Sequence, residues 1–136
     1  KTAVGYIVAQ ILGAFLAGVM INVLVRSLRV GAGGDTNSMI AEVVGTFFFA
    51  FGVASVVSRK NTPSASGVTV GGSLLIGILL AVGIGSKGGL NPAVALGIGA
   101  HSLSYFIGPI IGSVLGMLAY RFLVCESCCR GESCSK

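Results

Sequence analysis

An Asn91-Pro92 pair lies inside a long segment without charge. The 33 residues from Gly88 to Tyr120 contain no Asp, Glu, Lys or Arg, and such a run exceeds the roughly 20 apolar residues that one membrane-spanning helix needs. Asn is favoured just before the first turn of a helix, and Pro is favoured at its first position. The pattern therefore predicts a re-entrant half-helix from Pro92 to Ala100 that begins inside the bilayer, which is tolerated where its start lines a wet cavity.

Composition places the rest of the chain in the membrane as well. Of its 136 residues, 54% are hydrophobic and 10% are charged, so the chain is too apolar for a water-soluble surface and too short to bury that area in one core. We therefore predict an all-α, multi-pass integral membrane protein with four transmembrane helices and one re-entrant half-helix. The predicted spans are Ala3–Val25, Met39–Ser58, Val68–Ile84 and Leu103–Leu123.

Two polar side chains lie inside the first two predicted spans. Gln10 lies deep in the first span, where a carboxamide should face protein or water and not acyl chains. Glu42 lies in the predicted first turn of the second span, with Asn37 or Ser38 as the capping residue. The sequence leaves two interpretations of Glu42 open: an interfacial carboxylate favoured by the helix dipole, or a residue that braces a loop.

Proline and glycine mark one connection and one helix contact. The connector 61–66 is polar and contains Pro63, which disfavours helix at Thr62, so we expect the third helix to begin near Val68. In the last span, glycines recur at four-residue intervals, a pattern suited to tight helix crossing in lipid. These glycines are Gly108, Gly112 and Gly116. Tyr105, near the start of that span, is predicted to be an interfacial aromatic residue.

The charge pattern excludes some function classes and orients the chain. The net charge is +5, but the basic residues are scattered between apolar spans, so nucleic acid is not an expected partner. The chain has one His, no paired carboxylates in one span and no phosphate loop. It therefore lacks the group of residues that an enzyme's catalytic site would need, and no cofactor is expected. The positive-inside rule predicts both termini in the cytoplasm. The basic residues then inside are Lys1, Arg59, Lys60, Arg121, Arg130 and Lys136, and those outside are Arg26, Arg29 and Lys87.

The last residues form a separate cysteine-rich segment. We predict a transmembrane domain over residues 1–123 and a cytoplasmic tail over residues 124–136, which holds all four cysteines of the chain. They are Cys125, Cys128, Cys129 and Cys134. Three interpretations stay open, namely zinc binding by four thiolates, palmitoylation beside the membrane, and a reduced tail without metal. Disulfides are not expected in the cytoplasm.

Two single residues, one after the half-helix and one at the start of the chain, stand apart from these patterns. His101 is the only histidine, and we favour a packed or interfacial side chain over a pH-sensing gate. Lys1 is not an initiator residue, and the first span lacks the features of a cleaved signal peptide. We therefore expect that a natural segment has been removed or that the chain is a fragment.

Several segments together resemble the aquaporin (major intrinsic protein) family, over nearly the whole chain up to about Phe122. The segment Tyr6-Ile7-Val8-Ala9-Gln10 with Gly13-Ala14 resembles the family's third helix, and Ala41-Glu42 with Gly45-Thr46-Phe47-Phe48 resembles the fourth. The pair Ile76-Gly77 resembles part of the fifth helix, and Gly89-Leu90-Asn91-Pro92-Ala93 resembles the signature box. The sixth helix is matched by Tyr105-Phe106-Ile107-Gly108-Pro109-Ile110-Ile111-Gly112. The Ala-Gln and Gly-Pro pairs assign the chain to the carboxyl-terminal two-thirds of that fold.

The resemblance implies a fold of six helices and two half-helices, a tetramer with one pore per protomer, and passive flux of water or small neutral solutes such as glycerol. Asn91 would be a pore donor, and Pro92 and Ala93 complete its box. Glu42 would brace the re-entrant loop, and Gln10 would help to fix the neighbouring half. The positive end of the half-helix and the Asn91 amide suit a solute oxygen and oppose cations and protons.

The filter positions depart from the usual family pattern. Val94 stands where an Arg usually follows the second box. By alignment, the other filter positions are Ile84 and Gly88. A filter of these three residues would be apolar and short of donors, which disfavours strict water selectivity and suits glycerol-like or other neutral solutes, or no flux at all.

The family's first two helices and first box have no counterpart in these 136 residues. A second copy of the chain in the same orientation cannot replace them, because the two halves of the family are inverted relative to each other. Two interpretations stay open. The chain is part of a longer channel, or it is a reduced relative that serves as a non-conducting structural subunit of a larger membrane complex.

Overall fold

The computed structural model describes residues 2–24, 35–59 and 61–125. In these ranges all regular structure is helical. The elements are α1 (Thr2–Leu24), α2 (Thr36–Val57), α3 (Pro63–Ile84), α4 (Pro92–Gly97), α5 (Ser104–Tyr120) and a π-helical turn (Arg121–Cys125). Four helices are long and apolar enough to cross a membrane, with mean hydropathies of 1.7 to 2.2. The predicted all-α membrane fold with four spans is confirmed.

The second helix begins earlier than predicted. Asp35 is its N-cap, and the Asp35 carboxylate accepts a hydrogen bond of 2.8 Å from the backbone N–H of Ser38. The predicted caps, Asn37 and Ser38, lie inside the helix, so that prediction is wrong. Asp caps a helix as well as Asn or Ser does, and the polar first turn hides the helix start from an apolar pattern. The same Ser38 N–H lowers the pKa of Asp35.

The third helix also begins earlier, at Pro63 and not near Val68. Pro63 is the first helical residue, where its missing N–H is not needed. The Thr62 side chain accepts a hydrogen bond of 3.3 Å from the N–H of Ala65. Proline therefore starts this helix, and Thr62 stays extended as its cap.

The half-helix α4 has six residues, and the predicted length of nine was wrong. It ends because Gly99 adopts a left-handed conformation with φ of 77°. The N–H groups of Gly99 and Ala100 then donate to the carbonyl oxygens of Leu96 (3.2 Å) and Ala95 (2.8 Å). The last predicted span, Leu103–Leu123, becomes α5 followed by the π-helical turn.

Helices α2, α3 and α5 pack as a bundle with α2 in contact with both neighbours. At the α2–α3 crossing, a Cβ on Gly45 would lie 2.6 Å from the carbonyl oxygen of Gly77. At the α2–α5 crossing, a Cβ on Gly112 would lie 2.4 Å from the carbonyl oxygen of Val43, and one on Gly116 would lie 2.4 Å from that of Phe47. Both crossings bring backbone against backbone, which only glycine allows.

Helix α1 stands apart from this bundle. Among the described elements it packs against α4 alone, and none of its residues is buried. The contact is close, since a Cβ on Gly97 would lie 3.1 Å from the carbonyl oxygen of Ala14, and one on Gly18 would lie 3.3 Å from that of Gly97. The remaining surface of α1 is open to lipid or to further protein.

Candidate functional site

The loop between α3 and α4 has a sharply turned backbone. Gly85 ends α3 with φ of 115°, and Gly88 has φ of 67°. Leu90 has φ of 48°, which is the only positive value for a residue other than glycine among the described residues. Such a conformation costs a Leu roughly 1–2 kcal/mol. Leu90 adopts it with its side chain buried among Ala41 and Ala81 of the bundle.

Glu42 is the acceptor that holds this loop. Its side chain is fully buried, and its carboxylate oxygens accept from the backbone N–H groups of Gly89 (2.9 Å) and Leu90 (2.6 Å) and from the Ser86 hydroxyl. Glu42 is the seventh residue of α2, so the predicted first-turn position is wrong. This burial does not fit the interpretation of Glu42 as an interfacial carboxylate. It fits a residue that braces the loop, because a carboxylate only accepts hydrogen bonds and here faces three donors.

Two further residues fix the loop, and sequence reasoning missed both. The Ser86 hydroxyl also accepts from the N–H of Gly88 at 3.2 Å, and the Tyr105 hydroxyl accepts from the N–H of Lys87 at 3.2 Å. Tyr105 is fully buried, so its predicted interfacial position is wrong. Its spacing of three residues from Gly108 already places it on the face of α5 that packs on α2, a signal that could have revealed its burial.

The box residues start α4. Asn91 is the N-cap, and its Oδ1 accepts from the N–H of Ala93 at 2.9 Å, while Pro92 is the first helical residue. Ala93 is buried. The Asn91 Nδ2 donates to Gln10 Oε1 at 3.3 Å, a contact between residues 81 positions apart. Gln10 thus contacts the second box itself, whereas the resemblance had assigned it to the neighbouring half.

This start lies well inside the length of the spanning helices. Gln10, which contacts Asn91, is the ninth of the 23 residues of α1, about 12 Å along a helix that rises about 1.5 Å per residue. Asn91 also shares a cavity with Thr46 and Ala50, from the middle of α2, and with Pro109 of α5. Three spanning helices therefore place Asn91 well inside their length, away from the helix ends.

The cavity beside the box has a volume of about 280 Å³ and lies between α2 and α5. Its lining is mainly apolar. The lining residues are Thr46, Phe49, Ala50, Val53, Leu90, Asn91, Pro92, Pro109, Ile110, Ser113 and Met117. Among the described residues the Thr46 hydroxyl is buried and lacks a hydrogen-bond partner, so one polar atom at this cavity is unpaired.

The predicted filter positions do not line this cavity. Ile84 and Val94 are exposed in this chain, with 41% and 45% of their surface accessible. Gly88 is half-buried, and a Cβ on it would lie 3.2 Å from side-chain carbons of Ile78 and Val82, so this position faces α3. Their role as a filter stays a prediction.

Other candidates from the sequence lie away from this site. His101 is exposed after α4. Cys125 ends the π-helical turn, and the other three cysteines lie outside the described residues. Within the described part of the chain, no group of three or more His, Cys, Asp or Glu side chains could hold a metal. The interpretations of the tail therefore stay predictions.

Comparison with known proteins agrees with these observations. The sequence profile of the major intrinsic protein family matches residues 1–120. The chain is 31% identical to aquaporin NIP1-1 of Oryza sativa over 87% of its own length, and 30% identical to aquaporin AqpM of Methanothermobacter marburgensis over 93%. It is 29% identical to glycerol uptake facilitator protein-like 6 of Lactiplantibacillus plantarum over 91%.

The matches cover only part of each relative. The aligned region spans 46% of the NIP1-1 sequence, 61% of AqpM and 66% of the facilitator-like protein. No solved structure shows a significant match to the chain. The family profile covers most of the chain, and the resemblance noted in the sequence is confirmed. The chain belongs to the major intrinsic protein family.

Proposed function

We propose that this chain supplies one half of a membrane channel for water or small neutral solutes such as glycerol. The observation that carries the proposal is the Asn91 side chain, which caps a re-entrant half-helix well inside the length of the spanning helices. The names of the relatives, aquaporins and a glycerol uptake facilitator-like protein, agree with this class. The names of these relatives give no support to the alternative of a non-conducting structural subunit.

The packing of α1 on α4 suggests where the other half binds. In an inverted repeat, the contact of the third helix with the second half-helix has a counterpart, namely the sixth helix with the first half-helix. In this chain α5 resembles the sixth helix, and the open cavity lies along it next to Pro92. We infer that the start of a complementary half-helix enters this cavity, from another segment of the same protein or from a separate chain.

Assembly and orientation are parts of the same proposal. The family resemblance favours a tetramer with one pore per protomer, embedded in lipid, and the distribution of basic residues favours cytoplasmic termini. The tail over residues 124–136 then lies on the cytoplasmic side.

Asn91→Asp tests the proposed donor. Asp keeps the cap on the N–H of Ala93 but removes both N–H donors and adds negative charge. We expect roughly tenfold lower water permeability, measured by stopped-flow swelling of proteoliposomes that hold the chain together with a complementary amino-terminal half. Asn61→Asp is the control, because it makes the same change in an exposed connector.

Two results would count against the channel. Wild-type vesicles that swell no faster than empty ones and take up no glycerol would rule out conduction by this assembly. An Asn91→Asp variant that conducts as well as the wild type would remove Asn91 from the pore.

Val94→Arg tests the proposed apolar filter. A guanidinium at this exposed position adds bulk and donors where the usual family pattern has them. We expect glycerol uptake to fall at least about threefold more than water permeability, a discrimination typical of small changes in an apolar pocket. Leu96→Arg is the control, since residue 96 points to the other side of α4. Equal losses for both variants would argue against a filter at Val94.

A further inference from the structure

We propose that Gln10 is a positioning residue for the Asn91 donor, so that α1 sets the direction of the amide that meets the solute. This inference rests on the proposed channel function for its consequence, but its geometry can be tested without conduction. It changes the role that the resemblance gave to Gln10, from fixing the neighbouring half to aiming the box in its own half.

The Asn91 carboxamide is held at both ends. Its oxygen accepts from the N–H of Ala93 at 2.9 Å, and its nitrogen donates to Gln10 Oε1 at 3.3 Å. Because a carboxamide is planar, two fixed ends leave the second N–H of Asn91 with one direction in space. The cap alone would leave the plane free to tilt about that single hydrogen bond.

The packing of α1 explains how Gln10 reaches the box. Gln10, Ala14 and Gly18 lie at four-residue intervals and therefore on one face of α1. Ala14 and Gly18 make the close contact with Gly97 at the end of α4. With that contact fixed, the same face presents Gln10 to Asn91 at the start of α4. Any rotation or sliding of α1 on α4 withdraws the acceptor.

The contact has a direct consequence for the solute. Gln10 takes one of the two Asn91 N–H donors, which leaves one for a passing oxygen. A solute at this level then meets a single N–H donor that already points at it. The site therefore does not have to reorient that donor at each passage. Loss of Gln10 should therefore misdirect the donor without removing the cap of α4.

Nuclear magnetic resonance of the full chain in nanodiscs tests the geometry. The chain has four asparagines, at positions 22, 37, 61 and 91, so selective ¹⁵N labelling of their side chains gives four NH₂ signal pairs. Asn91→Asp identifies the Asn91 pair by its loss. In Gln10→Met we expect the Asn91 pair to shift and one of its protons to exchange faster with water, because Met has similar length but no carboxamide acceptor.

Three further variants sharpen this experiment. Gln10→Glu keeps an acceptor oxygen at the same reach, so the Asn91 proton that it accepts should stay as protected from exchange with water as in the wild type. Gln10→Asn is one methylene shorter, cannot reach Asn91, and should shift the signals as Gln10→Met does, which covers the case in which Gln10→Met fails to fold. Asn22→Leu is the matched control, because the Asn22 side chain bonds the carbonyl oxygen of Gly18 within α1 and does not contact the box.

Flux through the assembled channel gives the second measurement. We expect Gln10→Met to lower water permeability about fivefold, the factor that one ordinary hydrogen bond is worth. Asn91 signals that do not move in folded Gln10→Met or Gln10→Asn would overturn the inference. Signals that move as expected support the positioning role even where wild-type vesicles fail to swell, and that failure would then contradict the proposed function alone.

Discussion

Replacement of Glu42 by Gln is expected to lower the free energy of unfolding by about 3–5 kcal/mol. The buried Glu42 carboxylate faces three donors, from Ser86, Gly89 and Leu90. Gln has one acceptor oxygen, and its NH₂ group would point a donor at another donor. The variant therefore loses charge-assisted hydrogen bonds and leaves buried N–H groups unpaired. Unfolding in detergent micelles, followed by circular dichroism, measures the loss.

Ser86→Ala is the matched control for this prediction. It removes one of the three donors, and with it the acceptor of the Gly88 N–H, but leaves the carboxylate with its two backbone partners. We expect a loss of about 1 kcal/mol. A Glu42→Gln variant no less stable than Ser86→Ala would show that the carboxylate does not hold the loop.

Gly112→Ala is expected to separate α2 from α5 and to destabilise the protein by about 3 kcal/mol or more. The new methyl group would lie 2.4 Å from the carbonyl oxygen of Val43 and 3.0 Å from the Cβ of Thr46. Neither neighbour is the flexible end of a side chain, so the helices themselves must move. The same unfolding measurement in micelles records the effect.

Gly71→Ala is the control for added bulk and helix propensity. Gly71 lies in α3, and a Cβ there would have no neighbour within 4 Å. Alanine is the better helix former, so we expect an unchanged or slightly higher stability, by up to about 1 kcal/mol. Equal effects of the two substitutions would contradict close packing of α2 on α5.

The sequence predicted the spans well and their ends poorly. Uninterrupted apolar runs set the number and kind of helices, because bilayer thickness dictates their length. The ends depend on individual capping groups, and Asp35 and Thr62 lie in polar segments that the apolar pattern does not resolve. The early end of α4 depends on the left-handed Gly99, which leaves no periodic signal.

The site was predictable in its local parts and not in its long-range ones. Asn91 and Pro92 indicate a helix start from the sequence alone, because capping depends on residues that are neighbours in the sequence. The contacts that orient this start join distant positions, such as Gln10 with Asn91 and Tyr105 with Lys87. Their geometry follows from helix packing, and a single sequence without related sequences carries little information about such pairs.

The left-handed backbone at Leu90 implies an order of assembly during membrane insertion. The N–H of Leu90 donates to the carboxylate of Glu42, which lies 48 positions earlier in the chain, on α2. Before α2 and α3 have met, nothing compensates the unfavourable torsion, so an isolated nascent segment has no reason to adopt it. The loop before α4 must therefore form after its supporting spans have docked, and faults that delay their docking would leave an unformed loop inside the bilayer as a substrate for quality control.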